Sequence, residues 1–79
     1  MNASDLTSRI VVRPDVQGGR PVITGTRIPV ELVLGHLAAG MSAEAVAGEY
    51  GLAVEDVLAA VEYARRVVGG QRVEEFALD

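Results

Sequence analysis

The sequence predicts a mainly α fold, in which a small N-terminal two-stranded β ribbon is followed by a three-helix bundle of helix-turn-helix type. Two observations lead to this prediction. Short β-branched runs separated by a Gly-Gly turn occupy residues 9–24, and three segments with apolar residues at helical spacing follow between residues 30 and 68. The 79 residues suffice for one domain, which we place at residues 1–70 with its core at residues 9–68.

The ribbon consists of two short candidate strands. Residues 9–13 read RIVVR and residues 21–24 read PVIT, with Gly18 and Gly19 in the turn that separates them. Pro21 suits the first position of a strand, because proline has no N–H group to donate to a neighbouring strand. We therefore expect these two segments to pair before the first helix begins.

The three helices are bounded by residues that favour helix ends. Pro29 suits the first turn of a helix that ends at Gly40, and Ser42 suits the N-cap of a short helix that ends at Gly51. The third helix begins at Val54. The tight turn at Gly51 gives the second and third helices the layout of a helix-turn-helix unit.

The third helix carries apolar residues on two sides. We expect its main stripe to face the core, and this stripe comprises Val54, Val57, Leu58, Val61, Ala64 and Val68. A weaker strip on the other side comprises Ala60, Tyr63 and Val67. A helix that is apolar on two sides lies between two other elements, so either the β ribbon or a partner protein covers the weaker strip.

Residues 71–79 are predicted to form a C-terminal tail that binds a partner or frays. The tail carries Val73, Phe76 and Leu78 among charged residues, after a Gly-Gly pair. Such a segment is too short and too charged to form a core of its own. We count these three residues, together with the weaker strip of the third helix, as candidate residues of a dimer or partner interface.

Charge divides the chain into two parts. Residues 1–30 carry four arginines against two acids, whereas residues 31–79 carry three arginines against nine acids. The candidate DNA-binding residues in the basic part are Arg9, Arg13, Arg20 and Arg27. The third helix is unfavourable as a recognition helix, because its first turn carries Glu55 and Asp56, which would repel phosphate.

The residue types exclude several kinds of chemistry. The chain has no cysteine and a single histidine, His36, and we expect it to hold no metal and no cofactor. Gly19 and Gly25 lack the spacing and the lysine of a phosphate-binding loop. No nucleophile pairs with His36, so we predict neither catalysis nor a small-molecule substrate. No stretch resembles a signal peptide or a membrane span, and we expect a cytoplasmic protein without membrane association.

A specific run of residues relates the chain to a known family. The run GGRPVITGTRIPV is followed by a helix that ends in glycine, a Ser-capped short helix and a closing Tyr-Ala pair. The elements of this pattern are Gly19, Arg20, Pro21, Ile23, Gly25, Thr26, Arg27, Ile28, Val30, Gly40, Ser42, Tyr50, Leu52, Tyr63 and Ala64. Over residues 10–64 the chain resembles the bacterial domain-of-unknown-function family 433.

The resemblance implies a compact, homeodomain-like helix-turn-helix protein. Members of this family resemble the antitoxin of a type II toxin–antitoxin pair. Such an antitoxin dimerises, binds its own operator DNA and covers the active site of a PIN-domain ribonuclease toxin. The alternative is a homodimeric protein-interaction module that does not bind DNA. One departure from the family pattern is Ala53, which replaces the Ser or Thr that caps the third helix.

Overall fold

The computed structural model describes residues 6–70 and residues 77 and 78, and in this part of the chain a β ribbon precedes three helices. The elements are β1 (Ile10–Val12), β2 (Pro21–Ile23), α1 (Val30–Ala38), α2 (Ala43–Tyr50), α3 (Val54–Val68) and β3 (Ala77–Leu78). Short 3₁₀ turns, Thr7–Arg9 and Gln17–Gly19, precede β1 and β2. The predicted mainly α fold with a small N-terminal ribbon is thereby confirmed, whereas its homeodomain-like character stays a prediction.

The strand β1 lies in the middle of the sheet. It pairs antiparallel with β2, which places Ile10 opposite Ile23, and its other side pairs in parallel with the two residues of β3. The sequence did not predict β3, which falls within the tail assigned to residues 71–79. On the outer side of β2, Pro29 forms an isolated bridge with Val22 and so occupies that edge of the sheet.

The helix ends follow the predicted residues. The Ser42 hydroxyl accepts a hydrogen bond of 3.0 Å from the Ala45 N–H, which caps the start of α2. Gly51 ends α2 with a φ of 67°, and the Leu52 N–H then donates to the Ala47 carbonyl at 2.9 Å. This left-handed turn leads directly into α3, because only three residues separate the two helices.

The core draws on the ribbon and on all three helices. Its largest fully buried side chains are Ile10, Ile23, Val22, Val33, Val46 and Val57. No aromatic side chain is fully buried in the described part of the chain, and Tyr50 and Tyr63 only pack against the edge of the core. Burial of each such residue contributes about 1.5 to 3 kcal/mol to the free energy of unfolding. The stability that the single chain can reach is therefore limited.

The face of α3 that packs on the core differs from the predicted one. Val57 is buried as expected, but Leu58, Val61 and Val68 are 45%, 43% and 88% exposed. The prediction that these three residues face the core was wrong. The core is instead contacted by the opposite side of the helix, where Ala60 is fully buried.

Small side chains on α3 explain this orientation. Ala59 and Ala60 are completely buried, and α3 contacts β1, α1 and α2. An alanine keeps the helix backbone close to its neighbours, so the side that carries the alanines fits into the core that also contains Ile10 and Ile23 of the ribbon. The pattern of apolar residues alone cannot distinguish this small-residue face from the bulkier face behind it.

A matched pair of glycine substitutions tests the turn between α2 and α3. Nothing lies within 4 Å of a Cβ added at Gly48 or at Gly51, so neither substitution creates a clash. Gly51→Ala forces alanine into a left-handed conformation and should lower the free energy of unfolding by about 1 kcal/mol. Gly48→Ala, within α2, should raise it by about 0.5 to 1 kcal/mol. Urea unfolding measures both, and equal effects would contradict the assigned turn.

Candidate functional site

The exposed side of α3 carries an apolar strip. We define the outer strip as Val54, Leu58, Val61, Arg65 and Val68. Leu58, Val61 and Val68 belong to the few large apolar residues that the described part of the chain leaves exposed. Exposed apolar residues are common when scattered, but residues aligned along one helix face indicate a binding surface.

An apolar groove lies next to the outer strip, between α1 and the C-terminal half of α3. It has a volume of about 230 Å³ and is lined by Pro21, Val30, Glu31, Leu34, Tyr63, Ala64, Val67 and Val68. Val67 is 51% exposed, whereas Tyr63 is half-buried against the core. The groove therefore combines a rigid aromatic wall with an accessible apolar rim, which suits a protein side chain.

The candidate interface residues that the structure describes lie in different parts of the fold. Ala60 is fully buried in the core of the chain itself, so it is corrected from an interface residue to a core residue. Tyr63 and Val67 line the apolar groove. Val73 and Phe76 lie outside the described residues. The backbone of Leu78 pairs with β1 of the same chain.

Two of the four candidate DNA-binding arginines form ion pairs with acids of the helical part. Arg9 donates to Asp56 Oδ1 at 3.0 Å, and Arg20 donates to Glu31 Oε1 at 2.7 Å. The Arg20 pair is largely exposed and contributes little to stability, since water screens it. These contacts bring the basic and acidic parts of the chain together and lower the positive potential that DNA would meet.

The other two candidate arginines lie in exposed loops. Arg13 follows β1, and Arg27 lies in the loop between β2 and α1. Both side chains make further interactions within the structure. Next to Arg27, the Thr26 hydroxyl donates to the Ile23 carbonyl at 2.8 Å and accepts from the Ile28 N–H at 3.0 Å, which fixes the loop.

The acidic start of α3 has a structural role. Asp56 Oδ2 accepts a hydrogen bond of 3.0 Å from the Ala53 N–H, while Oδ1 holds Arg9. Ala53 has no side chain to cap the helix, and Asp56 therefore supplies only the reciprocal half of a capping box. The sequence alone predicts that Glu55 and Asp56 both repel phosphate. The i, i+3 spacing of Ala53 and Asp56 was the available signal for the capping role.

His36 joins two helices at a shallow depression. Its Nε2 lies 2.6 Å from the Tyr50 hydroxyl oxygen, and the two rings are 5.4 Å apart, which links α1 to the end of α2. The depression has a volume of about 470 Å³ and is lined by Arg20, Pro29, Glu31, Leu32, Gly35 and His36. Within residues 6–70 and 77–78, no three His, Asp or Glu side chains lie together in a way that could hold a metal ion.

Glu62, near the end of α3, binds Arg65 and Arg66 together, and we call this cluster the carboxylate fork. Glu62 accepts hydrogen bonds from Arg65 at 2.9 Å and from Arg66 at 2.8 Å, and Arg66 is buried. Hydrogen bonds from Arg65, then from Arg66, lower the pKa of Glu62 from 4.5 to about 2. The hydrogen bonds that Arg65 donates to Glu62 in turn raise the pKa of Arg65. The carboxylate fork holds these three charged side chains in fixed positions along α3, next to the apolar residues of the outer strip.

The fold and its surfaces define a small, mainly helical domain whose most distinctive surface features are an exposed apolar helix face and an adjoining apolar groove. A family model described as "Protein of unknown function (DUF433)" matches residues 10–64, which is more than half of the chain. The chain belongs to this family. No curated protein and no solved structure gives a match to the chain. None of the described helices is long and apolar enough to cross a lipid bilayer.

The carboxylate fork predicts a specific pH dependence of stability. Because the folded pKa of Glu62 lies below its ordinary value, its contribution is fully present above pH 4.5 and is lost as the pH falls towards 2. Glu62→Gln should therefore be less stable than the wild type at neutral pH, and this difference should vanish near pH 2. Urea midpoints measured against pH test this, with Glu49→Gln as a control for the loss of one exposed carboxylate. A difference that is constant with pH would contradict the role of Glu62.

Proposed function

We propose that this protein is the antitoxin-like member of a type II toxin–antitoxin pair, which binds and neutralises a PIN-domain ribonuclease. The single observation that carries the proposal is the apolar groove between α1 and α3. The family resemblance supplies the class of partner.

The groove has the properties of a docking site for a protein side chain. Tyr63 forms a wall that is half-buried and packed on the core, so it contributes contact area without losing much conformational freedom. Val67 is exposed at the rim and gains burial when a partner covers it. The groove is smaller than a typical protein interface, and further contacts must therefore come from the surfaces around it.

The net charge of the chain suits a ribonuclease. The chain carries eleven acids against seven arginines, and Glu31, which also binds Arg20, lines the groove. A ribonuclease binds the RNA backbone through a basic surface, because RNA carries a negative charge at each phosphate. An acidic protein that docks there competes with RNA for the same basic surface and thereby blocks catalysis. The tail residues Val73, Phe76 and Leu78 are proposed to extend this contact.

Substitution at the rim of the groove tests this function. Val67→Asp places a carboxylate in the apolar groove and should weaken binding to the proposed PIN-domain ribonuclease by at least about tenfold. Leu32→Asp is the matched control, because Leu32 is 39% exposed on α1 and lies outside the groove. Calorimetric affinity and inhibition of RNA cleavage are the two readouts. An unaffected Val67→Asp variant, or a wild type without affinity for the ribonuclease, would refute the proposal.

A second candidate function is binding to operator DNA as a dimer. It is favoured by the short left-handed turn between α2 and α3, which has the layout of a helix-turn-helix unit, and by the exposed Arg13 and Arg27. A two-fold axis would double these phosphate contacts. The ion pairs of Arg9 and Arg20 and the capping role of Asp56 count against a large basic surface.

Salt-dependent binding to the upstream operator tests the DNA-binding candidate. Arg13→Ala and Arg27→Ala should each weaken the complex and reduce the slope of log affinity against log salt by about one. Arg72→Ala, which removes the same charge from the C-terminal tail, is the control. If the wild type does not bind at low salt, or if all three variants bind alike, the protein is a protein-interaction module that does not contact DNA.

A further inference from the structure

The outer strip of α3 has the spacing of a coiled-coil seam. Its five members, Val54, Leu58, Val61, Arg65 and Val68, are separated alternately by four and three residues. This is the a/d spacing of two heptads. Leu58, Val61 and Val68 are its exposed apolar members, whereas Val54 is half-buried against the core and Arg65 is bound by Glu62. We propose that the outer strip is the interface with a second copy of this chain, in which the two α3 helices pack antiparallel about a two-fold axis.

Self-complementarity is the first reason for choosing a second copy. We consider two α3 helices that pack antiparallel, with the two-fold axis at the level of Ala59 and Ala60 along the helix. In this register Leu58 of each copy contacts Val61 of the other. The same register places Val54 opposite Arg65. A two-fold interface needs such a surface, because each patch must fit an identical patch. The central contact is then made by apolar residues that are exposed in the single chain.

Charge gives the direction of the two helices. Glu55 lies in the first turn of α3, and the Arg65 side chain, in the last turn, is 57% exposed. An antiparallel arrangement brings Arg65 of one copy close to Glu55 of the other, twice per dimer. A parallel arrangement would instead place like charges opposite each other. The neighbouring charges Asp56 and Arg66 are bound within the chain, to Arg9 and Glu62. Arg65 is also bound by Glu62, so Glu55 of the second copy would contact the exposed part of its guanidinium.

The composition of the core gives a reason for the dimer. The largest fully buried side chains are isoleucine and valine, while Leu58 and Val61 remain exposed. A chain of 79 residues buries a limited share of its surface, and a second copy covers apolar residues that the chain cannot cover itself. One pair of short helices buries less than the roughly 1,200 Å² of a standard stable interface, so we expect dissociation in the micromolar range.

Sedimentation over a wide range of concentration tests the interface. The wild type should show a concentration-dependent monomer–dimer equilibrium. Leu58→Asp should raise the dissociation constant at least about a hundredfold, because the two-fold axis buries two unpaired carboxylates. Leu32→Asp introduces the same charge at an exposed position on α1 and should leave the dimer intact. A wild type that stays monomeric throughout, or a Leu58→Asp variant that dimerises normally, would overturn the proposal.

Charge exchange tests the antiparallel direction of the two helices. Glu55→Arg and Arg65→Glu, each alone, create two repulsive pairs per dimer and should both be monomeric. Mixed in equal amounts they should form a heterodimer, because each copy then meets an opposite charge at both ends. Native mass spectrometry separates the two masses, and circular dichroism confirms that each variant is helical. Folded variants that stay monomeric on mixing would exclude this arrangement.

The dimer proposal does not depend on the proposed ribonuclease partner. Val68 belongs to both the groove and the outer strip, but Val67 lies on the opposite side of α3 from Leu58. Val67→Asp should therefore dimerise as the wild type does. Loss of ribonuclease binding with an intact dimer would support the groove alone. Loss of the dimer in Leu58→Asp, with toxin binding retained, would support the outer strip alone.

Discussion

The close packing of α3 on the ribbon and the other helices is the constraint on which the rest of the structure depends. Ala59 and Ala60 are fully buried in this core, and a larger residue at either position would push α3 away from its neighbours. Because the alanine side of α3 faces inwards, its bulkier apolar side must face outwards. The exposed strip and the neighbouring groove therefore arise from the packing itself and need no separate explanation.

Much of the fold could be predicted from local signals in the sequence. The β-branched runs, the Ser42 cap and the glycine at position 51 act within a few residues, and the structure has each of them where it was expected. The rotation of α3 could not be predicted in this way. Its two faces are both apolar, and the choice between them depends on how closely the ribbon approaches, which is a property of the assembled chain.

The candidate site was less predictable than the fold. Tyr63 and Val67 were identified as surface candidates and do line a groove, but the groove also needs residues of α1 and β2, far away in the sequence. The ion pair between Arg9 and Asp56 joins residues 47 positions apart. Residues 1–30 are basic and residues 31–79 are acidic, but folding brings residues of the two parts together. The separation of charge along the sequence therefore does not persist as a separation in space.

The central position of β1 has a consequence for the order of folding. This strand receives its first neighbour from residues only about ten positions away, but its second neighbour, β3, comes from residues 77 and 78. Closing so long a loop costs more chain entropy than forming the hairpin, and parallel pairing of distant segments is slow. During synthesis, the ribbon and the helices can therefore assemble first. The edge of β1 that faces β3 stays open to other strands until residues 77 and 78 have left the ribosome.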